Sequence, residues 1–413
     1  MGLASLFADL VEPTIPVRFE AFDGSSWGST DPEATISLRS VSAIQYLATA
    51  PGDVGLARAF TTGAIEVDGD LFAALVALVR HRAQDVRWSQ RIQVLRELGP
   101  QVLSRPPIPP EEFEPAWRRG LRRHSKERDA AAIEHHYDVS NDLYEILLGP
   151  TMTYTCALFP SPGATLEQAQ DAKHELVCQK LALRPGMRLL DVGCGWGAMA
   201  RYAAAHHGVE VVAVTLSRSQ AEWGRKAVAD QGLDPLVDLR YGDYRDVTET
   251  GFDAVSSIGL TEHIGAANLG SYARFLTGKL RPGGRLLNHC ITRPHGLHRA
   301  RAGRFIDRYI FPDGELLGPG TIISALHDNG LEVRHAENLR EHYTLTCRAW
   351  LANLEARWDD CVDLVGLRKA RVWRLYLAAS AAGFEVNRIQ LHQVLGVRLD
   401  ERGRSGFPLR PAY

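Results

Sequence analysis

Residues 189–197, L-L-D-V-G-C-G-W-G, constrain the fold more than any other stretch of this chain. Leu189, Leu190, Asp191 and Val192 form a short apolar run of the kind that makes a buried parallel strand. Gly193, Gly195 and Gly197 follow at alternate positions, and residues 198–206 (A-M-A-R-Y-A-A-A-H) are then rich in helix formers. Strand, tight glycine turn and helix open a doubly wound nucleotide site, where a ligand approaches the backbone only if no Cβ intervenes. The spacing is not the dinucleotide fingerprint G-x-G-x-x-G, and an acid, Asp191, stands two positions before the first glycine. G-x-G also occurs in ordinary turns, so a purely structural turn is the competing reading.

Downstream, residues 209–216 (V-E-V-V-A-V-T-L) supply a second parallel strand at βαβ spacing. Many nucleotide sites end this strand with an acid for the ribose hydroxyls. Here Thr215, Leu216 and Ser217 stand in its place, followed by Gln220, and hydroxyls with an amide can supply the same hydrogen bonds. Gly242, Asp243, Tyr244 and Arg245 close a third strand. Residues 252–258 read as a fourth, followed by L-T-E-H-I-G at 260–265, and R-P-G-G at 281–284 turns into a fifth at 286–291. An open α/β sheet is predicted, with ligands at the carboxyl ends of its strands. An insertion at 304–320, helical stretches at 339–365 and 372–384 and closing antiparallel strands at 389–398 follow. The charged tail beyond Leu399 is expected to be loose.

At 413 residues the chain exceeds one ordinary domain, and 45% hydrophobic residues suffice for a core. A formal net charge of −2 argues against a nucleic-acid partner. Six cysteines, Cys156, Cys178, Cys194, Cys290, Cys347 and Cys361, show neither C-x-x-C nor zinc spacing, so free thiols and no metal are expected. Neither a membrane span nor a signal peptide is predicted. Residues 104–115 hold five prolines and read as a linker. Arg118, Arg119, Arg122, Arg123, Lys126 and Arg128 follow. They are either a solvated helix face or a patch for anionic headgroups, each cation contributing about 1 kcal/mol near a membrane.

The D-x-G-x-G pattern resembles motif I of the class I S-adenosylmethionine-dependent methyltransferases. Taken with H-Y-D-V-S-N-D, M-T-Y-T-C, T-L-S-x-x-Q, D-Y-R, S-I-G-L-T-E-H-I-G and R-Y-I-F-P-D-G, the chain resembles the cyclopropane-fatty-acyl-phospholipid synthases and their mycolic acid relatives. The resemblance covers roughly residues 130–400, with a weaker match of the N-terminal region to the family's small helical domain. It implies a Rossmann-like α/β fold with a mixed seven-stranded sheet. The organisation expected is a small accessory domain at 1–103, a Pro-rich then basic linker at 104–129, a methyltransferase domain with lipid-binding insertions at 130–400 and a tail at 401–413.

By the same resemblance, cofactor contacts fall on Tyr154, Thr155, Asp191, Gly193, Cys194, Gly195, Thr215, Leu216 and Gln220, with Asp243, Tyr244 and Arg245 near adenine. A bicarbonate ion would be held by Cys156, Glu262, His289, Tyr343 and the backbone of Ile291. The chemistry explains such a set. A sulfonium methyl is electrophilic, a cis double bond attacks it weakly, and the carbocation formed needs a dry, aromatic-lined site and a small base. Tyr309, Phe311, Tyr343 and Trp350 are candidate walls, with core packing as the alternative role. L-T-E-H, L-L-N-H-C-I-T-R and V-E-P-T-I-P-V-R-F look like the actinobacterial branch that makes 10-methylene fatty acids from oleoyl phospholipids, and a cyclopropane is the alternative product. A small-molecule N- or O-methyltransferase is a more remote one. The implied partners are an unsaturated phospholipid, an anionic membrane surface at the inner face of the cell membrane and a flavin-dependent reductase acting on the product. The implied location is cytoplasmic and peripheral, with a homodimer left open.

Overall fold

The computed structural model describes residues 2–5, 11, 14–81, 99–113, 140–295, 300–301, 303–312, 314–411 and 413. The basic segment at 118–128 and the first part of H-Y-D-V-S-N-D lie outside the described residues. The chain divides into two compact units: residues 1–115, 303–310 and 350–386 form one, and 116–302, 311–349 and 387–413 the other. This partition departs from the boundaries expected at 103 and 129. Two later segments and the proline-rich stretch belong with the N-terminal region.

The first unit carries strands β1 (Val17–Ala21), β2 (Ser26–Gly28), β3 (Ala34–Leu38) and β4 (Ile65–Gly69) in the order β2-β1-β3-β4. A four-stranded mixed sheet organises this unit, so the weak match to a small helical domain does not hold, whereas β1 and β3 fall where residues 17–22 and 34–38 read as strands from the sequence. Helices α1 (Val41–Thr49), α2 (Asp53–Thr61) and α3 (Leu71–Arg80) accompany the sheet. The proline-rich segment is held by polar contacts as well as chain direction. Tyr46 donates its hydroxyl proton to the Pro107 carbonyl at 2.8 Å, and Arg58 and Arg308 both donate to the buried Glu112 carboxylate.

The second unit is built on the glycine stretch. Helices α4 (Asn141–Leu148) and α5 (Leu166–Leu181) precede β5 (Arg188–Val192), the central strand. Thr165 and Gln168 form a reciprocal capping box at the start of α5, and Ala182 ends it in a left-handed conformation. Then come α6 (Ala198–His207), β6 (Glu210–Thr215), α7 (Arg218–Asp230), β7 (Val237–Tyr241), β8 (Phe252–Ile258), α8 (Thr261–Ile264), α9 (Leu269–Lys279) and β9 (Leu280–Thr292). A two-stranded ribbon pairs β10 (Ala300–Arg301) with β11 (Glu315–Leu316). Short helix α10 (Arg304–Tyr309) lies between them in sequence and belongs to the first unit. Helix α11 (Pro319–Asp328), β12 (Glu332–Asn338), α12 (Arg340–Ala356), α13 (Trp358–Val365), α14 (Leu367–Glu385) and β13 (Gln390–Val397) complete the chain.

The sheet order is β12-β13-β9-β8-β5-β6-β7, with β13 antiparallel to both neighbours and the other six strands running in one direction. This is the mixed seven-stranded sheet the resemblance implies. R-P-G-G does not precede the fifth strand but sits inside it, as a break in register between β8 and β9. Apolar residues cover both faces. Val177, Leu189, Met199, Val211 and Leu239 cluster on one, and Leu190, Val192, Val255, Leu276 and Leu286 on the other. Each such side chain fully buried is worth roughly 1.5–3 kcal/mol. The tail is not loose: Phe407 and Tyr413 pack on the first cluster, and the Arg285 and Arg334 guanidinium groups lie 4.8 and 4.9 Å from the Phe407 ring. Among the described residues no helix is long and apolar enough to cross a membrane.

Candidate active site

The carboxyl ends of the parallel strands open into a cleft whose lining includes Gly193, Gly195, Thr215, Gln220, Tyr244 and His263. Gly193 has φ +75°, and a Cβ there would stand 3.3 Å from the Leu260 Cβ. Its amide and that of Cys194 both donate to the Val214 carbonyl, which ties the turn to the end of β6. Gly197 has φ +78°, and a Cβ there would meet Leu239 Cδ1 at 2.6 Å. The turn therefore needs glycine for conformation at both positions and for close packing at the second.

Polar groups in the cleft are oriented by one another. Thr215 donates its hydroxyl proton to Gln220 Oε1 at 2.8 Å, which turns the amide N–H groups away from Thr215. Ser217 caps α7 by accepting from the Gln220 amide. Leu216 also lines the cleft. Tyr244 contributes a ring set edge-on to Tyr272 and Phe275. Gly195 and Gln220 face each other, since a Cβ on Gly195 would lie 4.0 Å from Gln220 Nε2.

Several expected cofactor contacts are set back from this lining. Asp191 is buried on β5 and accepts from Ser256 Oγ at 2.6 Å, while its Oδ2 has no partner among the described residues. Burial raises its pKa to about 6. Asp243 accepts from the Arg245 amide and side chain, so this pair shapes the turn that carries Tyr244. Cys194 is half-buried, and burial raises its thiol pKa well above the ordinary value.

Tyr154, Thr155 and Cys156 lie on a strap pinned from two sides. Gln170 of α5 donates to the Thr155 carbonyl at 2.9 Å, and Lys173 donates to Thr155 Oγ1 at 3.1 Å. On the other side the Ala157 amide donates to Thr346 Oγ1 and the Phe159 amide to His342 Nδ1. Thr155 reaches the cleft wall, because a Cβ on Gly259 would lie 3.2 Å from Thr155 Cγ2. Tyr154 packs edge-on against Tyr144, which in turn packs on Trp196 of the glycine stretch. Cys156 is fully buried, donates weakly to the Ala157 carbonyl and has its pKa pushed well up by burial, so it is a protonated thiol.

Glu262 lies in α8, just past the end of β8. Its Oε1 accepts from the Ile291 amide at 2.7 Å, and its Oε2 is buried with no partner among the described residues. Burial raises its pKa to about 7 against the lowering effect of the Ile291 hydrogen bond. The Ile291 amide thus fixes Glu262 rather than offering a free N–H. His289, two residues before Ile291 on β9, is fully buried; its Nδ1 contacts Gln393 and its Nε2 has no partner among the described residues. Tyr343 is buried near the start of α12. Of the candidate aromatic walls, Tyr343 and Phe311 belong to the unit that holds the cleft, and Phe311 stands edge-on to the cleft residue His263 at 5.5 Å. Tyr309 and Trp350 belong to the first unit, where the Tyr309 hydroxyl donates to Glu112 at 3.2 Å.

A family model, mycolic acid cyclopropane synthetase, matches residues 124–394. The chain belongs to the mycolic acid cyclopropane synthetase family. It is 53% identical over 405 residues to the "Probable fatty acid methyltransferase Rv3720" of Mycobacterium tuberculosis, covering 96% of this chain and 94% of that one. It is 33% identical over 394 residues to the "Tuberculostearic acid methyltransferase UfaA1" of the same organism, covering 92% and 87%. Among solved structures, a mycolic acid cyclopropane synthase, CmaA1, complexed with SAH and CTAB, superposes with a TM-score of 0.62 at 32% identity, covering 67% of this chain and 99% of that one. The fold is that of the class I S-adenosylmethionine-dependent methyltransferases, and this member of the family is a methyltransferase.

Two groups of site residues escaped the sequence reading. Leu260 and His263 lie within L-T-E-H and line the cleft; the motif itself was the available signal. Lys173, Lys180 and Gln393 are buried polar groups around Thr155 and His289, with no sequence signal beyond their presence in amphipathic elements.

Proposed function

We propose that this enzyme transfers the methyl group of S-adenosylmethionine to the cis double bond of an oleoyl-type acyl chain in a membrane phospholipid, giving a 10-methylene-branched chain. The observation that carries the substrate class is likeness over nearly the whole chain to proteins named as fatty acid methyltransferases. The name of the second of these, a tuberculostearic acid methyltransferase, supports the methylene branch.

The residues present fit S-adenosylmethionine. Gly193 and Gly195 leave the backbone open, Thr215 and the oriented Gln220 amide offer hydrogen bonds, and Tyr244 offers an apolar face. Bound there, the sulfonium supplies an electrophilic methyl group. Attack by the alkene forms the carbon–methyl bond, releases the thioether and leaves an electron-deficient carbon beside the methylated one. A hydride shift from the methylated carbon followed by loss of a methyl proton gives the methylene, loss of that proton without the shift closes the cyclopropane, and water must be kept out throughout. The buried, unpartnered Glu262 Oε2 and His289 Nε2 fit a small hydrogen-bonding anion, with bicarbonate as the proposed one. Glu262 and His289, with Tyr343 and Cys156, would hold it, the Ile291 amide acting only by fixing Glu262, and its chemistry there would be that of a base. The proposal carries with it an anionic lipid surface at the cytoplasmic face of the membrane and a flavin-dependent reductase acting on the product.

Membership of a family named for cyclopropane synthesis, and superposition on a cyclopropane synthase, favour a second product, the cyclopropane. Lipids from a heterologous host decide between them by mass spectrometry and proton NMR. Vinylidene protons are expected, ring protons would establish the cyclopropane, and unmodified acyl chains would overturn both.

A further inference from the structure

Two buried side chains, Lys180 and Gln393, lead from the half-exposed Glu337 to the imidazole of His289. Lys180 on α5 has no side-chain exposure, forms an ion pair with the half-exposed Glu337 on β12 and donates to Gln393 Oε1 at 2.7 Å. Gln393 on β13 is fully buried and is the cross-strand partner of His289 on β9, with its Nε2 3.1 Å from His289 Nδ1.

The donor inventory of these groups leaves one arrangement. An ammonium has only donors, so the end of the Gln393 amide facing Lys180 must be the oxygen. The other end is then an NH₂ group, which can only donate, so His289 Nδ1 must accept. A neutral imidazole accepting at Nδ1 carries its proton on Nε2. The imidazolium is disfavoured twice. It would set an N–H against the Gln393 NH₂, and burial together with the nearby positive charges of Lys173 and Lys180 holds the His289 pKa well below its ordinary value.

We infer that Lys180 and Gln393 are positioning residues that lock His289 as the Nε2–H tautomer, making it a fixed hydrogen-bond donor and removing its lone pair from proton transfer. The buried Nε2–H, with no protein acceptor among the described residues, is left to an acceptor atom of a ligand. The inference rests on the reading of His289 as a site residue, and it adds a consequence: His289 is not the base that takes the proton from the alkylated chain. That proton goes to another acceptor. His289 neither gains nor loses one during turnover.

The test is ¹⁵N NMR of histidine-labelled enzyme, the His289 signals being assigned by their loss in His289→Asn. The wild type is expected to show a directly bonded proton on Nε2 only, across the neutral range. A proton on Nδ1, or on both nitrogens, overturns the inference without need of any variant. In Gln393→Glu the carboxylate can pair with Lys180 but offers His289 only an acceptor, so the proton is expected to move to Nδ1. Turnover should fall about 10–100-fold, as for other residues that orient a site group, with the S-adenosylmethionine Kd within twofold of wild type. Gln393→Leu, which removes the constraint without reversing it, is expected to show both tautomers and an intermediate loss. A Gln393→Glu enzyme that keeps the Nε2–H signal and full turnover also overturns the inference. The tautomer readout requires no lipid substrate. A wild type with the expected spectrum but no methylation of phospholipid would sink the proposed function and leave this inference standing.

Discussion

Glu262→Gln should stabilise the protein at neutral pH while abolishing its activity. The unfolded carboxyl titrates near 4.5 and the folded one near 7, because burial outweighs the hydrogen bond from Ile291. Below the lower value the carboxyl is protonated in both states and has no effect. Between the two values the unfolded state gains from ionisation while the folded state cannot, so stability falls as pH rises. Above the folded value the loss levels off at about 3 kcal/mol, from 2.5 pKa units at about 1.36 kcal/mol each. Glutamine keeps the acceptor for the Ile291 amide and does not titrate. Urea unfolding in bicarbonate-free buffer should therefore show the difference between variant and wild type growing in the variant's favour by about 2–3 kcal/mol between about pH 5 and pH 8.5. Any fixed cost of the amide shifts both ends equally. Turnover should drop at least about 100-fold, with S-adenosylmethionine affinity nearly unchanged. A stability difference flat in pH, or a variant with full turnover, would refute the assignment of a buried, strained carboxyl at this position.

Other perturbations address the cleft and its frame. Gly197→Ala combines a left-handed backbone with a Cβ 2.6 Å from Leu239 Cδ1, so a loss of about 2–4 kcal/mol is expected in urea unfolding, and a loss below about 0.5 kcal/mol would contradict the packing. Thr215→Val removes the donor that orients Gln220, so calorimetry should show S-adenosylmethionine bound about 10-fold more weakly, with unchanged affinity as the refuting result. Cys156 should resist maleimide in the native enzyme at neutral pH and react promptly in urea; rapid native labelling at this site would show the thiol is not buried and protonated.

Much of the cleft's frame was legible in the sequence, because apolar runs bounded by glycine have few alternatives. β5, β6 and β8 fall within a residue or two of their expected positions. Several strands were not legible, β12 and β4 being the longest of them. E-V-R-H-A-E-N at β12 has little apolar content because it is an edge strand, and I-E-V-D-G at β4 is short and half acidic. The grouping of residues 303–310 and 350–386 with the N-terminal region depends on long-range packing, such as the Arg371 ion pair with Glu66 within that unit, which no local pattern encodes. Cleft residues with motif signals, Gly193, Gly195, Thr215 and Gln220, were found. The lysines around Thr155 and His289 were not, since lysine in an amphipathic helix ordinarily faces water. Asp191 was legible as the acid of its motif, but its place beneath the turn rather than in the cleft follows from strand pairing with Ser256.

The central claim is methylation of an acyl chain inside a lipid. The direct measurement supplies the purified enzyme with methyl-labelled S-adenosylmethionine and vesicles of dioleoyl phosphatidylglycerol, then saponifies the lipid and counts label in the fatty acid fraction. The account predicts label in that fraction, dependent on the double bond and lost in Glu262→Gln. Label confined to the headgroup or to water-soluble products, or none in any lipid while S-adenosylmethionine still binds, would contradict it.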